Sequence, residues 1–230
     1  MKKIYLLTSL CLLISFMSWS QIVTTNPTFV TQTGGVVEVT FDATQGNKGL
    51  MGYTGDVYAH TGVNSNLGNW QHAPTWGDNS AKYKLTSLGN DKWKFTISPD
   101  IATFYGLSAG ETATKLCFVF RSADNSKEGK DIGNADIFYD ISAPGLNVVF
   151  TNPVANKSVT VGTTETISFT SSVTADLELL INGASVKTAT AATALSQSYT
   201  YSSTINYQLI AKAVAGGVTK YDTVMVSVAA

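Results

Sequence analysis

The sequence is poor in cysteine and in charged residues, and both shortages narrow the classes of protein to which it can belong. Its 230 residues include 2 cysteines, and only 13% of the residues are charged, against about 25% in an ordinary soluble domain. A formal net charge of -1 provides no basic surface, which excludes binding to the phosphates of nucleic acid. Because 44% of the residues are hydrophobic, the chain has enough apolar material for packed cores and does not belong to the disordered class.

The first twenty residues have the pattern of a secretory signal peptide. A basic start is followed by a mostly apolar run at 4–17 and by small residues just before Gln21, which predicts cleavage at that point. A transmembrane anchor is the alternative, but the run is shorter than the roughly 20 apolar residues that span a bilayer. Since no later run is long enough either, we expect an exported protein without a membrane span. It would lie in the periplasm, at the cell surface or outside the cell.

Cleavage before Gln21 would also change the cysteine chemistry. It removes Cys11 and leaves Cys117 as the one remaining cysteine, so no intramolecular disulfide is expected. Cys117 stands in an apolar segment, 115–121, in which both faces of a strand would be apolar. It is therefore interpreted as a small buried core residue and not as a nucleophile.

The chain divides into a signal peptide at 1–20 and two blocks of different chemistry, 21–143 and 144–230. The first block has nine basic and twelve acidic residues, three tryptophans and both histidines, whereas the second has neither tryptophan nor histidine and contains 14 threonines. A proline and a glycine within Ser142–Gly145 mark the boundary.

Both blocks have the hydrophobic alternation of β-strands. In the first block Val36–Phe41, Lys92–Ile97 and Asp136–Ile141 alternate apolar and polar residues, the period of half-buried strands. Trp93 falls on the apolar face of its strand and is expected in the core. Only Pro99–Leu107 is expected to form a short helical turn.

The second block contains a series of short strands separated by turns. Asn182-Gly183 and Gly216-Gly217 are strong signals for two-residue hairpins, and such a series of strands fits an immunoglobulin-like sandwich. Candidate strands cover 147–150, 157–161, 166–171, 177–181, 184–188, 196–201, 207–214 and 218–228. The predicted fold class is therefore all-β, with two β-sandwich domains in tandem, the second of them immunoglobulin-like.

The sequence shows no catalytic or metal-binding motif. Its acidic residues are scattered through turns, with no spacing that selects the carboxylate pair of a glycoside hydrolase, and nucleophile-elbow, zinc and phosphate-loop motifs are absent. The loop 124–131, together with Asp136, could offer oxygens to calcium, but Lys127 and Lys130 lie in it. An ordinary Asx-rich hairpin is the better prediction. No catalytic residue, metal or cofactor is therefore predicted.

An aromatic group in 53–76 is the feature that favours binding. Tyr58 and His60 alternate with Val57 and Ala59, and Trp70 and Trp76 follow in a polar stretch that looks like a loop. Large apolar rings left in water usually mark a binding surface.

A sugar matches the physics of this group of residues. The C–H face of a pyranose can lie on a flat ring while its hydroxyls bond to polar neighbours. Tyr58, His60, Trp70 and Trp76 are thus the predicted carbohydrate-binding residues, with Gln71 or Lys82 at the edge. The alternative is that the two tryptophans fold back as covers on the sandwich. His72 is expected to be a solvated loop residue.

The first block resembles starch-binding modules of carbohydrate-binding module families 25 and 26. The resemblance covers roughly 36–141, and is carried by Val57–Gly62, Asn69-Trp70, Trp76, Lys92–Ile97 and Leu116–Asp124. The block is also similar to the region ahead of the catalytic barrel in secreted α-amylases of the Bacteroidetes group. In those modules a histidine on a strand and a tryptophan on the following loop form the platform for an α-glucan.

The resemblance implies a function, and the sequence departs from the family pattern at one point. It implies that starch or a maltooligosaccharide is the partner, and that His60 and Trp70 bind it together with Trp76 and Tyr58. Those families carry a second tryptophan in an acidic, Asn-rich turn, and the matching stretch 122–134 has none. Either Trp76 replaces that tryptophan or binding is weaker. The second block resembles the immunoglobulin-like spacer of such amylases.

Three hypotheses follow. The first is a secreted, non-catalytic α-glucan-binding module with a spacer, forming the amino-terminal part of an α-amylase whose catalytic domain would follow Ala230. The second is a structural or adhesive cell-surface protein, in which Trp70 and Trp76 are buried at the domain junction or against another protein. A small enzyme ranks last because the sequence offers no catalytic constellation.

Overall fold

The computed structural model describes residues 21–230, and the predicted signal peptide at 1–20 lies outside the described residues. Within the described range the chain forms fifteen strands and one short α-helix. The prediction of an all-β sandwich fold is confirmed. No helix in 21–230 has the length and apolarity needed to span a bilayer.

The amino-terminal half forms two antiparallel sheets. One sheet has the strand order β1-β2-β6-β5, and the other has the order β4-β3-β7-β8, with β9 also paired to β7. The strands are β1 (Val23–Asn26), β2 (Val37–Asp42), β3 (Val57–Ser65), β4 (Gly68–Gln71), β5 (Thr86–Gly89), β6 (Lys92–Ile97), β7 (Ala113–Ser122), β8 (Glu128–Gly129) and β9 (Ile137–Asp140).

Alternating side chains of the two sheets fill the first core. Phe41 of β2 stacks on Phe120 of β7, with ring centroids 4.2 Å apart, and Phe118 stacks on Phe120 at 5.4 Å. Trp93 is buried in the same core, as its place on the apolar face of β6 predicted. The apolar members of this core run from Ile22 to Ile137.

The predicted helical turn is also present, as α1 (Ile101–Tyr105). Asp100 caps its start by accepting a hydrogen bond from the Thr103 amide, which satisfies one of the amides that a helix leaves unpaired. Gly106 ends it with φ 70°, a conformation that favours glycine. The Tyr105 hydroxyl lies 2.6 Å from Thr61 Oγ1 inside the core.

The carboxyl-terminal half has its own six-stranded sheet and its own core. Its hydrogen-bonded order is β10-β12-β14-β15-β11, and β13 pairs with β12. The strands are β10 (Val148–Asn152), β11 (Lys157–Thr160), β12 (Thr164–Ile181), β13 (Ala184–Thr200), β14 (Asn206–Ala215) and β15 (Val218–Ala229). Strand β11 is parallel to β15, with Lys157 opposite Val226 and Thr160 opposite Ala229.

Two long strands replace four shorter predicted ones in this half. The segments 166–171 and 177–181 are both part of β12, because a register irregularity between Thr170 and Ala175 interrupts the pairing without turning the chain. The segments 184–188 and 196–201 merge in the same way in β13, which ends at Thr200. The Asn182-Gly183 hairpin is confirmed: both residues have positive φ, at 50° and 81°, as a type I′ turn requires.

The second core contains Phe169, Leu179, Tyr201 and Leu209 and spans 146–228. The connection between the two cores is tied to both halves. The Ser142 amide donates to the Val30 carbonyl at 2.7 Å, and the Asn147 amide donates to Ser172 Oγ at 2.8 Å.

Candidate functional site

The outer face of the β4-β3-β7-β8 sheet carries the predicted site residues. Strand alternation sends Val57 and Ala59 into the core and leaves Tyr58 and His60 on the other face. Their cross-strand neighbours on β7 are Arg121 and Val119 respectively. The structure thus places this part of β3 with the orientation that the alternation predicted.

Three aromatic rings meet on this face, and we call them the aromatic shelf: His60, Trp70 and Trp76. The His60 ring stacks on Trp70 with centroids 5.4 Å apart and planes inclined by 25°. It meets Trp76 edge-on, at 4.8 Å and 64°. Because His60 is nearly parallel to one indole and steep to the other, the two indole planes are inclined to each other and the shelf is bent.

Trp70 is held by hydrogen bonds to two other parts of the first sandwich. It lies in β4, not in a loop as the sequence indicated, and its φ of 54° is left-handed, a conformation that costs a non-glycine residue about 1 kcal/mol or more. Its amide donates to Asn64 Oδ1 at 3.0 Å, and its indole Nε1 donates to Asp136 Oδ2 at 3.1 Å. The ring is half-buried, so it both covers the sheet and forms part of the shelf.

Trp76 is the exposed member of the shelf. It is 44% exposed and lies in the loop after β4, where the Asp78 amide donates to the Thr75 carbonyl at 3.1 Å. A tryptophan left this open at the surface presents apolar area that a ligand can cover. The alternative that Trp76 folds back as a cover therefore does not describe this residue.

A row of charged groups borders the shelf at Trp70. Lys130 Nζ lies 3.3 Å from Asp136 Oδ1 and 3.8 Å from Glu128 Oε2. All three side chains are partly exposed. They supply hydrogen-bond acceptors and a donor beside an apolar ring, which is the combination a polyol needs.

The surroundings of His60 favour the neutral form of its ring. Burial lowers its pKa, and the nearby Arg121 charge lowers it further, against an opposing effect of Asp136. Its Nδ1 is buried without a hydrogen-bond partner among the described residues. We conclude that His60 contributes mainly a stacking surface.

Tyr58 is more buried than expected, and Lys82 and Gln71 each donate a hydrogen bond to a carbonyl of the chain. Tyr58 is on the outer face but only 7% exposed, with the Arg121 guanidinium 5.4 Å from its ring, so it supports the shelf from beneath. Lys82 Nζ donates to the Phe104 carbonyl at 2.7 Å, which ties it to α1. Gln71 Nε2 donates to the Asn69 carbonyl at 2.9 Å.

His72 lies exposed in the turn after β4, as predicted, and its ring also contacts a buried carboxylate. Its Nε2 lies 2.9 Å from Glu111 Oε2, and the Glu111 side chain has no exposed surface. Glu111 also accepts from Ser65 Oγ at 2.7 Å and from the Ser108 amide at 3.1 Å. Sequence reasoning missed this group because its members are far apart along the chain.

These contacts give a prediction for acid stability. The hydrogen bond from Ser65, followed by those from Ser108 and His72, lowers the pKa of Glu111 below its ordinary value of 4.5. The unfolded chain therefore takes up this proton first, so the stabilisation is complete above about pH 4.5 and is lost as the pH falls through the folded-state pKa. Glu111→Gln should lower the urea midpoint at pH 7 and flatten its decline between about pH 5 and 3. Parallel pH profiles of the two proteins would contradict this assignment.

The loop considered for calcium is a hydrogen-bonded turn. Asp124 Oδ1 accepts from Ser122 Oγ at 2.6 Å and from the amide and hydroxyl of Ser126 at 3.1 and 2.8 Å. These bonds lower the pKa of Asp124 to about 2. In 21–230, histidine, cysteine, aspartate and glutamate do not gather in any group of three or more that could hold a metal ion.

Arg121 and Asp136 are the site residues that sequence reasoning missed. Asp136 is the first residue of an alternating segment and lies on the same face as Phe138. The side of the sheet on which Asp136 lies was therefore predictable, but its hydrogen bond to Trp70 was not. Arg121 lies at the end of the apolar run of β7. The hydrophobic pattern of that strand does not indicate which residues the arginine contacts.

No protein-family model and no curated protein matches the chain. Among solved structures, a chimeric titin Z1Z2 functionalised with an exogenous peptide from decorin is similar over 92% of this chain and 95% of its own, at 9% identity and a TM-score of 0.31. The BSP domain of a biofilm associated protein matches 90% of this chain and 30% of its own, at 12% identity and 0.34. The fibronectin(III)-like modules of Clostridium thermocellum CbhA match 36% of this chain and 95% of their own, at 16% identity and 0.30. At identities of 16% or less and TM-scores of 0.34 or less, these likenesses say nothing about the role of this chain.

Proposed function

We propose that the chain is an exported, non-catalytic binding module whose aromatic shelf attaches it to an α-glucan such as starch or a maltooligosaccharide. The observation that supports this most is the exposure of Trp76 beside His60 and Trp70 on one sheet face. An apolar surface of this kind, bordered by Asp136 and Lys130, offers both parts of sugar recognition. The C–H face of a glucose ring covers indole, and its hydroxyls reach the charged row.

The inclination of the two indoles favours α-glucans over flat polysaccharides. A chain of α-linked glucose curves, so successive rings present their faces in different directions. A shelf with inclined planes matches such a chain, whereas a flat ribbon would contact only one indole at a time. We therefore place starch ahead of polysaccharides that form flat ribbons.

Affinity electrophoresis tests the proposal directly. The chain from Gln21 onward is run in native gels containing starch, dextran, xylan or no polysaccharide. We expect retardation in starch only. The affinity should be modest, because one shallow surface buries little area and strong attachment would come from several modules together. Equal mobility in all four gels would refute α-glucan binding.

The proposal also includes a catalytic partner. We propose that the module serves a glycoside hydrolase of the α-amylase type and holds it against its substrate. Fusing the chain to such a domain should raise the rate on insoluble starch and leave the rate on soluble maltooligosaccharide unchanged, whereas mixing the two unlinked proteins should change neither rate. An equal effect on both substrates would refute a targeting role.

A structural or adhesive protein is the second candidate. Two all-β sandwiches in tandem, joined by a connection bonded to both halves, suit a surface protein as well as an enzyme appendage. The aromatic shelf would then contact a protein partner. Among the described residues, the stacking and cation–π partners of its rings all belong to the first sandwich. Titration with maltoheptaose separates the candidates: tryptophan fluorescence should change for a glucan site and stay constant for a protein-binding surface.

A further inference from the structure

Arg121 is buried in an unusual way for a cation. It is 1% exposed, and among the described residues no carboxylate lies within 4 Å of its guanidinium. Burying a charge without an ionic partner is unfavourable. An ion pair therefore does not explain why the Arg121 side chain is buried.

The hydrogen bonds of Arg121 lead to the loop that carries Trp76. Its Nη1 donates to Asn79 Oδ1 at 2.9 Å, and its Nη2 donates to the Asp78 carbonyl. Nη1 also donates to the Ser122 carbonyl at 3.1 Å. One planar group thus joins the end of β7 to the segment directly after Trp76.

The faces of the guanidinium contact the aromatic residues of the site. The Arg121 Cζ atom lies 5.4 Å from the centroid of the Tyr58 ring and 5.9 Å from that of Trp76. Both distances are within the range of cation–π attraction. The cation is therefore close to both the buried ring of Tyr58 and the exposed ring of Trp76, while its Nε has no partner among the described residues.

We propose that Arg121 is the positioning residue of the aromatic shelf. It fixes the loop backbone at Asp78 and Asn79 and supports the Trp76 ring, so that this indole stays open to ligand at its angle to His60. The ligand part of the proposal rests on the proposed glucan binding, whereas the positioning part does not. Lysine cannot replace arginine here, because an ammonium lacks the planar fork that reaches two loop acceptors while stacking on two rings.

Fluorine NMR of the chain from Gln21 onward, labelled with 5-fluorotryptophan, tests the positioning role. The signals of Trp70, Trp76 and Trp93 are assigned with single Trp→Phe variants. In both Arg121→Lys and Arg121→Met we expect the Trp76 signal to shift and broaden while the Trp93 signal stays unchanged, and starch affinity to fall at least tenfold. Lys94→Met is the matched control: this lysine pairs with Glu38 on the other sheet, and its loss should move neither signal.

A second variant covers the case in which replacing Arg121 unfolds the domain. Asn79→Ala removes one loop acceptor without disturbing the core, and it should also shift the Trp76 signal. An unchanged Trp76 signal in Arg121→Lys and Asn79→Ala would overturn the proposal. If the signal shifts but wild-type protein shows no retardation in starch, the positioning role stands and the glucan assignment fails.

Discussion

Replacing Trp76 with alanine is expected to abolish retardation in starch gels. This indole is the exposed part of the shelf, and truncating a central tryptophan of a binding surface typically costs 2 kcal/mol or more. That is a loss of about 30-fold in affinity, which removes measurable retention when the starting affinity is modest. The fold should be unaffected, since Trp76 lies outside the core.

A second tryptophan variant and a control variant show whether the loss of retardation in starch gels is specific to the aromatic shelf. Trp70→Ala should lose retention as well, because it removes the ring that stacks on His60 and frees Asp136. Tyr221→Ala, which removes a 62% exposed aromatic ring from the second sandwich, should leave mobility unchanged. Retention by both tryptophan variants would show that the shelf is not the binding surface.

The largest effect on stability is expected at Phe120. Its ring has no exposed surface and stacks on both Phe41 and Phe118. Phe120→Ala leaves a cavity between the two sheets and should lower the free energy of unfolding of the first sandwich by about 3–5 kcal/mol. Urea denaturation followed by tryptophan fluorescence measures this, because Trp93 belongs to the same core.

Phe138→Ala is the matched control for the core variant. It removes the same side chain from the neighbouring strand β9, where the ring is 46% exposed on the outer face. Its effect should stay below about 1 kcal/mol, as for most exposed positions. If both variants shifted the midpoint equally, the core would not lie where the structure places it.

Local patterns were enough to predict several strands of this protein. Period-two alternation located β2 and β6 to within a residue, and the Asn182-Gly183 pair located a hairpin, because each signal depends on neighbouring residues alone. The same patterns divided β12 and β13 too finely. Small and polar residues near Thr170 indicate a turn in the sequence, whereas in the structure the strand continues past a register irregularity at this point.

The site was only partly predictable, since its geometry depends on long-range contacts. The alternation placed His60 on the outer face, and the polar surroundings of Trp76 marked it as exposed. The bond from Trp70 to Asp136 joins residues 66 positions apart, and Arg121 meets Asn79 over 42 positions. No local pattern encodes such pairs, and for this reason the burial of Tyr58 beneath Arg121 could not be foreseen.

The parallel pairing of β11 with β15 has a mechanical consequence. A pull that separates the start of β11 at Lys157 from the end of β15 at Ala229 draws the two strands along each other in opposite directions. All hydrogen bonds of the pair then carry the load together, in shear, instead of opening one after another like a zipper. This strand pair should therefore resist tension applied between its two ends.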